Sequence, residues 1–286
     1  MTVDDPAARP ELVRVPGGTI RLRDARTGTA RDVDLLPFSI GRTPVTVDRW
    51  HAVDGAEPVE HRADGSVPAH PVSWFDAVAW CNAASVRAGL RPAYAVEGRR
   101  VSWDVAADGY RLPTEGEWEH AARAGGTAPT YGPLRSTAWT ALDGVAGPQP
   151  VGRKEPNAFG AVDMLGNVWE WCWDYADPAR YADYRVLRGG GWADREWSVR
   201  ASVRRGSLPE SHLEDVGFRV ARGAVGERGD AAQGWSARRD RDRAGIRGPL
   251  PLGWTPLREL LDDDPEGGRR PAVARGAARG AAGCQS

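Results

Sequence analysis

The sequence predicts an α+β domain rich in loops, followed by a low-order tail, and three observations point there. First, 13 Trp stand against 4 Phe and 6 Tyr, so large indole anchors, each with one N–H needing a partner, carry much of the packing. Second, 35 Gly and 22 Pro imply many turns and short elements. Third, helix-start signals fall in the first half and strand-like runs at the beginning and the end. Helices and strands that are segregated rather than alternating argue against a βαβ architecture.

In chain order, residues 1–10 are polar with two prolines and read as a flexible N-terminus. Leu12 to Val15 and Thr19 to Leu22 read as strands around the turn Pro16-Gly17-Gly18. Pro37 to Ile40 is a further short strand. Thr46 caps a helix over 47–53. Ser73 with Asp76 forms a capping box for a helix that buries Ala77, Val78, Cys81 and Ala84 on one face. Residues 94–103 read as a hairpin turning at Glu97-Gly98. Thr114 with Glu117 is a second capping box, opening a helix to about Arg123 that stops at Gly125-Gly126. Residues 148–159 read as loop, and 185–220 as short strands between long turns. The domain is thus expected over 11–222. Residues 223–286, dominated by Gly, Ala, Arg, Asp and Pro, are expected to be low in order, because little apolar surface offsets their ordering entropy. One island there, Leu250 to Leu261, has helical spacing and could engage a protein partner or dock on the domain.

Composition removes several function classes. A net charge of −1, from 38 basic and 39 acidic residues, provides no field for nucleic acid or an anionic membrane. Mean hydropathy is −0.50 and no long apolar run occurs, so no membrane span is expected. The N-terminus lacks a secretory pattern, which makes a cytoplasmic address the expectation. Three cysteines without a Cys-x-x-Cys pair make neither a disulfide framework nor a structural zinc site.

Six motifs follow in order: Val15-Pro16-Gly17-Gly18; Pro37 to Thr46; Pro71-Val72-Ser73-Trp74-Phe75-Asp76-Ala77; Tyr110-Arg111-Leu112-Pro113-Thr114-Glu115-Gly116-Glu117-Trp118-Glu119; Phe159 to Trp171, with Asp163-Met164-Leu165-Gly166-Asn167-Val168-Trp169-Glu170 at its heart; and Arg188-Gly189-Gly190-Gly191-Trp192 through Gly217-Phe218-Arg219-Val220. The series resembles the formylglycine-generating enzyme family, the sulfatase-modifying factors, over roughly residues 11–222. The resemblance implies a C-type-lectin-like variant fold with little regular secondary structure. It also implies relatives of several kinds: copper-dependent sulfatase-modifying oxidases, non-haem iron sulfoxide synthases, maturation proteins and ligand-binding proteins. Membership therefore leaves the chemistry open.

The acidic block has a reading of its own, since carboxylate and carbonyl oxygens in a tight loop suit calcium. By resemblance, Asp163 and Glu170 would give side chains, and Gly166 and Val168 main-chain oxygens. The alternative is a metal-free turn in which backbone N–H groups satisfy both carboxylates. A second calcium site of some relatives is not expected, because 138–152 offers Asp143 as its only carboxylate. Copper is not expected either. The oxidases carry two cysteines after the Arg-Gly-Gly block, where thiolates suit Cu(I). Here that stretch has none, and Asp194 falls at the first position. Cys81 and Cys172 read as buried small hydrophobes. The iron synthases resemble this domain fused to a helical bundle supplying histidines; here only residues 1–10 precede the motifs, and iron is left open.

The remaining face offers Trp192, Trp197, Arg200 and Arg204 as ligand-binding candidates for a small molecule or peptide, since guanidinium and indole can clamp a carboxylate and stack a ring. A purely structural arginine network is the competing reading. Asp194, Glu210 and His212 are candidate catalytic residues should a carboxylate–histidine metal site form. The expected function is therefore a family member without the copper cysteines, a ligand-binding or accessory module. The alternative is a non-haem metal-dependent oxidoreductase, and a formylglycine-generating oxidase is the least favoured.

Overall fold

The structure, a computed structural model, describes residues 9–24, 28–54 and 65–245. The elements are short and held mostly by long-range partners. Strand β1 (Leu12–Val15) is followed by the hairpin of β2 (Gly18–Asp24) and β3 (Thr29–Leu35), then by β4 (Phe38–Gly41) and helix α1 (Val47–Asp54). Helix α2 (Trp74–Arg87) follows, then the hairpin of β5 (Tyr94–Glu97) and β6 (Arg100–Trp103), strand β7 (Tyr110–Arg111) and helix α3 (Glu115–Arg123). Beyond the single-turn helix α4 (Leu134–Thr137) lie β8 (Trp169–Tyr175), the short α5 (Pro178–Tyr181), β9 (Arg185–Arg188), β10 (Arg204–Ser207), β11 (Val216–Gly217) and β12 (Ala221–Arg222). A last hairpin, β13 (Ala231–Ala232) with β14 (Trp235–Ser236), leads into α6 (Ala237–Ala244).

Two four-stranded sheets frame the core, one ordered β1-β4-β12-β7 and the other β10-β9-β8-β11. In the first, β12 is inserted between β4 and β7, pairing Ala221 with both Ile40 and Arg111. The end of the domain thereby closes on its beginning. In the second, β11 runs parallel to β8 while β9 and β10 are antiparallel.

Both capping boxes form as the residue spacing requires. In each, the Ser73 or Thr114 hydroxyl accepts from the N3 amide, and the Asp76 or Glu117 side chain accepts from the cap amide. The second box sits in a charged interior. Glu117 also receives two bonds from the fully buried Arg111, at 2.6 and 2.7 Å. Helix α3 ends at Arg123, the expected last residue, with Ala124 left-handed at φ 44° just ahead of the glycine pair. The indoles pack as a cluster. Trp173 lies 5.0 Å from Tyr94 (stacked), 5.4 Å from Trp74 and 5.7 Å from Trp103, centroid to centroid.

The expectation of low order from Gly223 onwards requires correction, because residues 223–245 are built into the fold. Trp235 is buried against Trp103 and Trp173, at 5.4 and 5.5 Å. The Gln233 amide donates to Leu36 O and Glu117 Oε1, while its oxygen accepts from Leu36 N. The Thr114 hydroxyl donates to Gln233 O. One indole and one amide offset the entropy that the surrounding Gly and Arg would otherwise impose. The island at 250–261 lies outside the described residues. None of the described helices is long and apolar enough to cross a membrane.

Candidate functional site

The block 163–174 begins as a tight loop and ends as β8. Asp163, Gly166 and Asn167 all have positive φ, at 53°, 70° and 63°. Gly166 is required there for a second reason: a Cβ would lie 2.1 Å from Trp139 O. The two polar side chains of the loop reach across to residues 149–152. Asn167 Oδ1 accepts from Gln149 N at 2.9 Å and its Nδ2 donates to Gln149 O at 3.0 Å. Asp163 Oδ2 accepts from Gly152 N at 2.7 Å. Burial pushes the Asp163 carboxyl up to about 6.

The expected calcium ligands differ in what they have left to give. Asp163 Oδ1 is buried with no partner among the described residues. Glu170 is fully committed: Arg219 Nε and Nη2 donate to its two oxygens, each at 2.7 Å, and Trp118 Nε1 donates to Oε2 at 2.7 Å. The same guanidinium reaches Gly41 O at 2.8 Å and Asp163 O at 2.9 Å, tying β4, the loop and β8 together. An internal cation thus already serves Glu170, so the four-residue ligand set does not fit calcium as a whole. At Asp143 a comparable arrangement holds, with Lys154 Nζ donating to Asp143 Oδ1 at 2.8 Å and Arg135 O at 2.6 Å.

The segment after Arg188 carries the candidates for chemistry, and the fold disperses them. Asp194 Oδ2 accepts from Trp169 Nε1 at 2.7 Å and Gly191 N at 2.8 Å, closing a tight turn. Glu210 faces Arg99 at 3.2 Å, a guanidinium also bound by Asp183 at 2.6 Å. His212 Nε2 sits 2.7 Å from Asp76, at the cap of α2. A metal site assembled from Asp194, Glu210 and His212 is therefore corrected by the structure, since the three have three separate sets of neighbours. Among the described residues no group of three or more His, Cys, Asp or Glu could hold a metal ion.

Of the ligand-binding candidates, Arg204 is half-buried at the edge of the interior. It donates to both oxygens of Glu115, at 2.7 and 2.9 Å, so its guanidinium is already engaged by an internal carboxylate. Arg200 is exposed and bonds only locally, Nε to Trp197 O at 2.8 Å. Trp197 is 66% exposed, an indole offered to solvent or a partner. Trp192 is half-buried, with its main-chain N–H on Asn167 O at 2.8 Å and its Nε1 without a partner among the described residues.

Residues not singled out from the sequence complete this face. Asp215, whose carboxyl is pushed up by burial, lies near Asp194 and 4.0 Å from Arg205. The Arg205 guanidinium is 5.8 Å from the Trp169 ring. Asp215 stands just before β11, whose pairing with β8 sets it beside Trp169: Trp169 N donates to Asp215 O at 2.8 Å. No local sequence pattern marks that parallel pairing. Cys81 and Cys172 are free, buried thiols whose pKa values burial raises far above the ordinary range, so neither is a ready nucleophile.

Comparison with known proteins agrees with the motif order. A model of the Sulfatase-modifying factor enzyme 1-like domain matches residues 2–224. The chain is 30% identical to the chaperone protein LppX of Paenibacillus barcinonensis, over 74% of this chain and 89% of that protein. It is 32% identical to the inactive C-alpha-formylglycine-generating enzyme 2 of Mus musculus, over 76% and 87%. Among solved structures, Treponema denticola variable protein 1 superposes with a TM-score of 0.66 at 28% identity, covering 74% of this chain and 94% of that one.

Proposed function

Because this chain belongs to the sulfatase-modifying factor family, we propose that it uses the family scaffold as an accessory or ligand-binding protein and not as a thiol-based oxidase. One observation carries this reading. At the position where the copper-dependent oxidases resembled here would place their first cysteine stands Asp194, and its carboxylate is occupied with Trp169 Nε1 and Gly191 N. That carboxylate stabilises a turn. The two cysteines among the described residues are buried elsewhere. Relatives named as a chaperone and as an inactive enzyme support the same direction. Free buried thiols are in keeping with a reducing, cytoplasmic setting.

The face available for a partner is the one around Trp197 and Arg200, where an exposed indole adjoins a guanidinium. Such a pair suits an acidic or aromatic segment of a small molecule or peptide. Purified protein titrated with Cu(I), and incubated with a sulfatase peptide containing the target cysteine, tests the reading. We expect neither tight copper binding nor formylglycine. Either result in the positive sense overturns it.

A further inference from the structure

The segment that Asp163 and Asn167 hold down, residues 149–152, forms one wall of an open surface groove. The groove is wide open to solvent, measures about 740 Å³ and lies between α4, with Arg135, and the segment 149–155; Trp139, Pro150, Arg153 and Lys154 are among the residues lining it. Three cations line it against one carboxylate, Glu155.

These cations are not equivalent. Lys154 is occupied by Asp143 and the Arg135 carbonyl, and its ammonium sits 4.1 Å from the centroid of the Trp139 ring, which fixes that ring in place. The guanidinium groups are freer. Arg153 is exposed and has no partner among the described residues. Arg135 makes a single long bond, Nη1 to Leu142 O at 3.3 Å. Trp139 Nε1 is likewise left without an acceptor.

The wall is pre-formed. Gln149 is held by Asn167 through two bonds, Val151 N by Ser66 O at 3.0 Å, Gly152 N by Asp163 at 2.7 Å, and Glu155 N by Ser136 O at 2.8 Å. A ligand entering here does not have to order the loop, so its contacts are not offset by that entropy. We propose that this groove binds a small anion with a flat apolar body, an aryl or heteroaryl carboxylate or phosphate ester. Its head is held by Arg135 and Arg153 and its body by Trp139 and Pro150. Guanidinium forks match carboxylate and phosphate geometry, and the indole with the proline ring supplies the apolar floor. This assignment stands independently of the accessory role, because the two rest on different residues.

Calorimetric titration of the full chain with phenyl phosphate and with benzoate, against phenol and inorganic phosphate, tests it. We expect saturable binding of at least one aryl anion, with the preferred head group identifying the source as phosphate or carboxylate. Phenol and inorganic phosphate should each bind at least about tenfold more weakly, since each lacks one half of the recognition. The double variant Arg135→Ala/Arg153→Ala, which removes only exposed side chains, should weaken the aryl anion at least about tenfold with an unchanged melting temperature. The indole N–H resonance of Trp139, assigned with Trp139→Phe, should move on saturation. Absence of aryl-anion binding at millimolar concentration overturns the proposal, as does equal binding of phenol or phosphate, or unaltered affinity in the double variant.

Discussion

The block 163–174 and the segment 188–212 both carry acidic and aromatic side chains, yet they use them in opposite ways. In the first, Glu170 is completely buried and bound by Arg219 and Trp118, and the loop side chains of Asp163 and Asn167 bridge to residues 149–152. In the second, Asp194, Glu210 and His212 each satisfy a different nearby partner, two of them largely in solvent. Buried charges must be paired, so the first block is an obligatory network; solvated charges need no such agreement. The difference teaches that the family's signature block specifies architecture. The later segment, among the described residues, brings no set of metal ligands together.

Arginine deletion is the sharpest way to break this comparison. Arg219→Ala strands the Glu170 carboxylate in the core and removes the tie between β4 and β8, so we expect a loss of about 3–5 kcal/mol in urea unfolding. Arg200→Ala, on the solvated segment, should stay within about 0.5 kcal/mol. Comparable losses for the two would erase the distinction between network and surface.

The next effect concerns the extension beyond the family domain. Trp235→Ala removes an indole that is 8% exposed and packed against Trp103 (tilted) and Trp173 (edge-on). Large-to-small changes of this type cost about 3–5 kcal/mol in a rigid core, and in a short extension that can relax we expect about 2–3 kcal/mol. Truncation at Gly223 should lower the melting temperature in step. A truncated protein that melts with the full chain would show residues 223–245 to be dispensable to the fold.

How much of this was legible in the sequence depended on distance along the chain. Ser73 with Asp76, and Thr114 with Glu117, are separated by three residues, so the capping boxes could be read directly and both form. Strand β8 could not be recognised as one by alternation, because Trp169-Glu170-Trp171-Cys172-Trp173-Asp174 is buried on both faces. The insertion of β12 between β4 and β7 joins opposite ends of the domain and leaves no local trace. At the site, the family's missing cysteines were plain from residue identities alone. The partners of Asp194, Arg204, Glu210 and His212 were not, since each bond but the Asp194–Gly191 turn depends on tertiary packing. Residues 223–245 were misread because average composition hides the contributions of Trp235 and Gln233.

The smallest effect is one of pH, and it sharpens what Asp163 does. Its carboxyl, and that of Asp240 in α6, are both pushed up to about 6, chiefly by burial. A folded-state pKa above the unfolded value stabilises the protein while the group is protonated. That contribution is fully present below the ordinary carboxylate range and is lost as pH rises through about 6. Stability from these two groups therefore falls between mildly acidic and neutral pH. Asp163→Asn should flatten part of that slope in urea unfolding, and Asp240→Asn another part. Calcium bears on the same atom, because Asp163 Oδ1 is the one carboxylate oxygen of the expected ligand set without a partner. A calcium ion bound through it would favour the ionised form and raise the melting temperature above pH 6 but not below it. An equal response to calcium in Asp163→Asn would remove this residue from any metal role. A wild-type slope no steeper than that of the variant would show that its carboxyl is not held protonated.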